Sequence, residues 1–170
     1  MSRTLDEQGV LAWAQDVLSS FNNASQTVRV VYGDQQWSAR PALPYATVLK
    51  LSEATIGEGE RDYLEETATT ALERVSWYFE GTYSITVYGA GHNQMIQALA
   101  LSIRSDPQAD ANRARGVVIV DVISGPRRLS TTSNGVTEDR SQMDIRARYR
   151  LERDAAGLDI IETLELTQNL

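Results

Sequence analysis

The sequence predicts an α+β domain spanning residues 1–170: a mostly antiparallel β-sheet with an N-terminal helix and a central helix packed on one face, and a C-terminal β-hairpin. Residues 4–21 and 96–103 repeat apolar side chains at three- and four-residue spacing, the stripe of an amphipathic helix. Residues 71–88 and 143–166 alternate apolar with polar side chains, the pattern of strands covered on one face only. The strand leading into Gly89 is of this half-exposed kind, unlike the buried first strand of a parallel sheet.

In chain order, the first helix carries Val10, Trp13, Val17 and Phe21, with Leu18 widening the stripe. Thr4 and Glu7 fit a capping box, Asp6 and Glu7 suit the positive end of the helix dipole, and Asn22-Asn23 ends the helix. Val28 to Tyr32 is a short β-branched strand closed by Gly33-Asp34. Pro41 and Pro44 hold the segment containing Trp37 extended, and Tyr45 to Leu51 reads as a strand. The acidic, glycine-containing stretch that follows is expected to be the least structured part of the chain.

Further on, Val75, Trp77 and Phe79 share a strand face, Gly81 allows a bend or bulge, and Tyr83, Ile85 and Val87 resume the alternation. After Gly89-Ala90-Gly91 comes a helix striped with Ile96, Leu99, Ala100 and Ile103, closed by Asp106-Pro107, with a short second turn over 108–114. Val117 to Ile123 is a nearly continuous apolar run, expected to be covered on both faces, and Gly125 to Thr137 reads as a polar loop. Trp13 and Trp77 lie on apolar faces and read as core.

The last forty residues hold the hairpin. Met143 to Leu151 and Leu158 to Leu166 alternate on either side of Asp154-Ala155-Ala156-Gly157, which suits a type I turn. With Arg153 facing Leu158, Leu151 meets Ile160, Ala147 meets Leu164 and Ile145 meets Leu166. Tyr149 then faces Glu162, while the other face pairs Arg146 with Glu165 and Arg148 with Thr163. A slip of one residue would set arginines against leucines, so the pattern specifies its own register.

Composition bounds the function. With 42% hydrophobic, 7% aromatic and 23% charged residues, the 170-residue chain is an ordinary globular domain. Its length allows burial of roughly two-thirds of the unfolded surface, so the core needs neither metal nor disulfide. Zero cysteines exclude thiolate zinc sites and thiol nucleophiles, and a single histidine excludes any site with two imidazoles. No apolar run approaches the roughly 18 residues of a membrane span. No apolar h-region follows Met1-Ser2-Arg3, so a secretory signal is not expected.

The net charge of −7 is unevenly spread. Glu53, Glu58, Glu60, Asp62, Glu65 and Glu66 against Arg61 give a net of −5, whereas residues 127–153 carry seven arginines against Glu138, Asp139, Asp144 and Glu152, a net of +3. A sequence pI near 4.7 argues against a dedicated nucleic-acid binder. Opposite charges on separate segments suit identical copies meeting head to side, though two solvated loops would show the same pattern. The candidate subunit-interface residues are therefore Arg127, Arg128, Arg140, Arg146 and Arg148 on one side and Glu58, Glu60 and Asp62 on the other. Fifteen of the sixteen basic residues are arginine, Lys50 being the exception, which reflects either GC-rich coding or a preference for bidentate contacts.

Catalytic patterns are mostly missing. Gly89-Ala90-Gly91-His92-Asn93-Gln94 resembles a dinucleotide loop, but Gln94 stands where the third glycine belongs and no Gly-Lys-Ser/Thr follows. The glycines are better read as a tight strand-to-helix turn, and His92 as a helix-start or interface hydrogen-bonding residue. No G-x-S-x-G and no D-x-D-x-D-G occurs. No catalytic residue, cofactor or metal ligand is assigned, and an enzyme is not expected.

Four strings, in this order and spacing, carry a family resemblance. They are Arg40-Pro41-Ala42-Leu43-Pro44-Tyr45 with Ala46-Thr47-Val48, and Tyr83-Ser84-Ile85-Thr86-Val87-Tyr88-Gly89 leading into a helix. Gly116-Val117-Val118-Ile119-Val120 follows, then Glu138-Asp139-Arg140-Ser141-Gln142-Met143-Asp144. Over roughly residues 5 to 168 the chain resembles the neck or tail terminator (tail-completion) proteins of tailed phages. The resemblance implies a virion part, assembled in the host cytoplasm: a homo-oligomeric ring, expected to be a hexamer. The ring would cap the tail tube, meet the head-tail connector and let DNA pass without specific binding. It implies no catalytic residue. A portal-proximal adaptor or stopper ring is the alternative within the neck; a small nucleotide-binding enzyme using Gly89, Gly91 and His92, or a stand-alone binding module, lies outside it.

Overall fold

The computed structural model describes residues 5–35, 41–65, 70–133 and 136–159. Their elements are α1 (Leu5–Ser19), β1 (Arg29–Tyr32), β2 (Tyr45–Glu65), β3 (Thr70–Tyr88), α2 (His92–Ser102), α3 (Asp106–Ala114), β4 (Val117–Ser133) and β5 (Val136–Asp159). The five strands form one sheet in the order β1-β2-β3-β5-β4, antiparallel except where β1 runs parallel to β2. This is the α+β architecture that the alternating patterns predict.

The core lies between the helices and one face of the sheet. Val10, Trp13 and Leu18 of α1 and Met95, Ile96 and Leu99 of α2 meet Tyr83, Ile85 and Val87 of β3 and Met143, Ile145 and Ala147 of β5. Each strand contributes every second residue, so the period-two pattern selects the face. Trp13 is fully buried, and its indole donates to Ser102 Oγ at 3.2 Å, tying α1 to α2.

Several expectations change. β5 runs straight through Asp154-Ala155-Ala156-Gly157: Arg153 pairs with Val75, Leu151 with Trp77 and Leu158 with Ala71. The proposed second strand has no edge to pair with, because Ala147 already faces Gly81 on one side and Ile119 on the other. Ile160, Glu162, Thr163, Leu164, Glu165 and Leu166 lie outside the described residues. The C-terminal hairpin sits one strand earlier, β4 with β5, where Ser133 pairs with Val136 across the sequence Asn134-Gly135. The expected polar loop at 125–137 therefore belongs largely to this hairpin. The acidic stretch after Leu51 is also strand, since β2 continues along β3 as far as Glu65.

Smaller corrections follow from packing. Pro107 opens α3 in its first turn; it does not close α2. β4 is an edge strand with an uncovered outer side: Val117 and Ile119 are buried, but Val118, Val120 and Ile123 are exposed. Trp77 is exposed, since β2, β3 and β5 outrun the helices there. Trp37 and Thr4 lie outside the described residues. Gly81 makes no bulge; a Cβ there would come within 2.8 Å of the Tyr83 ring, so the glycine leaves room for that ring.

Candidate functional site

The most densely built polar cluster joins α1, β2, β3 and β5. The chain's one lysine, Lys50, donates to Asp6 Oδ2 at 2.8 Å and to the Tyr149 hydroxyl at 3.4 Å, and it also pairs with Glu53. The Tyr83 hydroxyl donates to the same Asp6 oxygen. Burial alone would push the Lys50 ammonium down, but its bonds to Asp6 and Glu53 outweigh that and hold it well above the ordinary lysine range. Burial first, then Asp6, raises the Tyr83 phenol; burial, then Glu53, raises that of Tyr149. Lys50 therefore stays charged and is a poor nucleophile. A compact ammonium on a flexible stem suits a site that takes carboxylates from two directions. Asp6 stands in the first turn of α1, as the dipole reading expects, and also ties the helix to the sheet; Tyr149 meets Lys50, while Glu162 lies outside the described residues.

The glycine turn has a packing role. Gly89 has φ +94, and a Cβ on it would approach Pro44 Cα at 3.1 Å, so it is where the chain from Pro41 to Pro44 crosses close. His92 is the first residue of α2 and is buried; its Nδ1 lies 2.7 Å from Ser141 Oγ. Ser141 Oγ donates to Asn93 Oδ1 at 2.5 Å, which leaves His92 Nδ1 as the donor to the serine. This chain of bonds pins the helix start to β5, and its serine hydrogen points away from the imidazole. Among the described residues no group of three or more His, Asp or Glu side chains is placed to hold a metal. Among them, too, no helix is long and apolar enough to cross a membrane.

The candidate interface arginines divide. Arg146 and Arg148 lie on the outer face of β5 and share Glu80 of β3, at 3.3 and 2.8 Å, and Arg146 also reaches Asp121 of β4 at 3.1 Å. The Arg148 hydrogen bond, and after it the nearby Arg146 charge, holds the Glu80 carboxyl below the usual range. Arg127 and Arg128 lie further along the β4–β5 ladder, opposite Gln142 and Ser141, paired with Asp144 at 3.2 Å and Asp139 at 3.5 Å and at least half exposed. Arg140 is partly buried there, its Nε without a hydrogen-bond partner among the described residues. The positive segment is thus strung along β5 and its partner β4, and much of its charge is balanced within the chain.

The acidic candidates fall on the opposite extension, where β2, β3 and β5 continue beyond the helices. Glu58 is exposed beside a bulge, and Glu60 accepts from Tyr78 at 3.2 Å and lies 3.9 Å from Arg150. Asp62 sits opposite Arg74 in the ladder. On this arm Trp77 packs over Gly59, whose Cβ would come within 2.8 Å of the indole, next to Leu151 across the strand pair. Neither Lys50 nor this apolar row stands out as a site in the sequence. The one clue to Lys50 is its being the only lysine, and the alternation places Trp77 on the right face without revealing that the helices stop short.

Among the described residues the polar clusters brace the fold, and the sheet extends past its helices with charged and apolar side chains exposed. The sequence model for phage neck terminator proteins matches residues 11–169, and the chain belongs to that family of structural proteins of the phage neck. No curated protein matches the chain.

Proposed function

We propose that residues 1–170 work as one tail-terminator domain that assembles into a homo-oligomeric ring, a hexamer, at the neck of a tailed phage. The ring caps the tail tube, meets the head-tail connector and leaves a passage for DNA, with no chemistry performed on any substrate. The observation that carries the reading is the family match over 159 of the 170 residues, from 11 to 169.

The physical features agree with it. A ring of one chain needs two different patches that fit each other, and the two sheet extensions differ in charge and in apolar content. The net charge of −7 spares a DNA conduit the counterion-release affinity that a basic channel would have. The Lys50 cluster braces a sheet that must bear load from both neighbours. Purified protein mixed with its tail-tube partner should give closed rings and capped tubes by electron microscopy and light scattering. A strict monomer that never enters virions overturns the reading.

A further inference from the structure

A sheet edge is a row of unpaired N–H and C=O groups, and another strand can join wherever that row is left open. Most of the edge in this protein is closed. β1 is sealed by side chains: Gln15 of α1 donates to the Val28 carbonyl at 3.0 Å and accepts from the Val30 N–H at 2.9 Å, and Asn22 accepts from the Val28 N–H at 2.7 Å. Past Ile123, β4 is broken by Gly125-Pro126 and by two register shifts between Val122 and Arg127. On the arm, charged side chains line both borders, with Glu58, Glu60 and Asp62 on β2 and Arg150, Glu152 and Arg153 on β5.

Two stretches lack such protection among the described residues. One is the outer edge of β4 over residues 117–123, Val-Val-Ile-Val-Asp-Val-Ile, where Val118, Val120 and Ile123 are exposed. The other is β2 over residues 51–56, past the end of β1, with residues 51–55 all exposed. Each holds one charged side chain, and both charges are already used, Asp121 by Arg146 and Glu53 by Lys50. Lysine, the usual guard of an edge, occurs only as Lys50, whose ammonium is held by Asp6 and Glu53. The ladders set the two stretches at one height on opposite borders of the sheet. Val117 aligns with Tyr149, Phe79 and Thr55, and Ile119 with Ala147, Gly81 and Glu53.

We infer that the 117–123 edge of β4 in one copy pairs antiparallel with the 51–56 edge of β2 in the next, so that the sheet continues from copy to copy. A second copy is the occupant because the chain itself carries both halves of the contact, level with each other. Rotation about an axis along the strands brings one against the other and keeps strand direction, and β4 runs opposite to β2 within the chain. Val118 then meets Ala54 on the helix-free face. This rests on the proposal that the chain assembles with itself, and it assigns the two edges that do so. Each copy gives one edge and receives the other, so the contact propagates around a ring and does not close as a pair.

The natural absence of cysteine makes the test clean. Within one chain Val118 and Ala54 stand three strand spacings apart, about 14 Å, beyond the reach of a disulfide. Full-length protein with Val118→Cys and Ala54→Cys, or with Val118→Cys and Ser52→Cys to cover the next step of register, should form a ladder of covalent multimers on oxidation. Each single variant should stay one chain, and an equal mixture of singles should stop at dimers. The pairing is overturned if neither double variant cross-links. It is also overturned if the singles dimerise as readily, since that reports β4 against β4 or β2 against β2. Strand pairing has a backbone signature too: amide exchange at 117–123 and 51–56 should slow when the protein assembles. Exchange that slows only after a tail-tube protein is added gives the edges to that partner and overturns the inference. Val118→Lys with Val120→Lys puts guards on the edge and should reduce the mass by light scattering to that of one chain, with the circular dichroism unchanged. Undiminished assembly of that variant overturns the pairing. Wild-type rings with neither cross-links nor slowed exchange would sink the pairing alone; a wild-type monomer would sink the ring as well.

Discussion

Beneath α1 and α2 the strands bury Tyr83, Ile85, Met143 and Ile145 completely, while further along the same strands Trp77 and Leu151 stand open to solvent. The alternation is continuous through both regions, and so is the pairing of β3 with β5. What differs is the cover. In the braced half two helices close the apolar face and the Lys50–Asp6 cluster ties four elements together; in the arm nothing among the described residues lies over it. The pattern of a strand thus fixes which face is apolar, and the elements packed on it decide whether that face becomes core or contact.

The two tryptophans give the largest contrast. Trp13→Ala removes a fully buried indole and its bond to Ser102, and should cost about 3–5 kcal/mol in denaturant unfolding. Trp77→Ala should cost less than about 1 kcal/mol, because an exposed side chain away from a packed core contributes little. Equal losses from the two substitutions would break the comparison and make the arm part of the core.

Lys50→Met tests the brace. It leaves the Asp6 carboxylate buried without its ammonium, a loss of about 3–5 kcal/mol. Adding Asp6→Asn should restore part of it. The cluster also sets the alkaline limit. Lys50, Tyr83 and Tyr149 all have raised values in the fold, so their contribution is complete below the unfolded values of about 10. It is lost as pH rises above that toward the folded values. Wild-type stability should fall above about pH 10, more steeply than that of Lys50→Met.

These two contrasts mark how far the sequence is legible. The inner face was readable residue by residue, since Val10, Trp13, Ile85, Val87, Ile96 and Met143 announce themselves by period alone. Pairing was not, because it depends on which edges are free. Asp154-Ala155-Ala156-Gly157 has turn chemistry, yet both edges of β5 are taken by β3 and β4 and the strand continues. Asn134-Gly135, the stronger hairpin signal, sits at the real connection. The acidic run reads as a loop by propensity and becomes strand because β3 supplies its ladder. The candidate arginines were visible as charge, but Glu80 and Asp121, far away in sequence, decide how much of that charge remains.

Gly81 links the two regions. Its missing side chain lets the Tyr83 ring lie along the strand toward Asp6, and a Cβ would meet that ring at 2.8 Å and the hydroxyl oxygen at 2.9 Å. Gly81→Ala should therefore cost about 1–3 kcal/mol by overpacking and should weaken the alkaline dependence. Gly59→Ala presents the same close approach to Trp77, but that ring borders solvent and can swing aside, so the melting temperature should move much less. If the two glycines proved equally intolerant, the arm would be as rigidly packed as the braced half.

Glu80 gives the smallest effect and the opposite pH sign. Its carboxyl is held below the ordinary range by Arg148 and Arg146, so the unfolded chain binds its proton more readily than the folded one. The stabilisation is present above the unfolded carboxylate value of about 4.3 and disappears as pH falls through the lower folded value. Wild type and Glu80→Gln should therefore differ at neutral pH and converge in acid, with the gap narrowing as salt is added, since these side chains meet solvent. A gap that persisted in acid and in high salt would mean that Glu80 packs the outer face instead of balancing its arginines. The arginines on β5 would then be freer for a neighbouring copy than their ion pairs imply, and the division of labour between arm and brace would have to be redrawn.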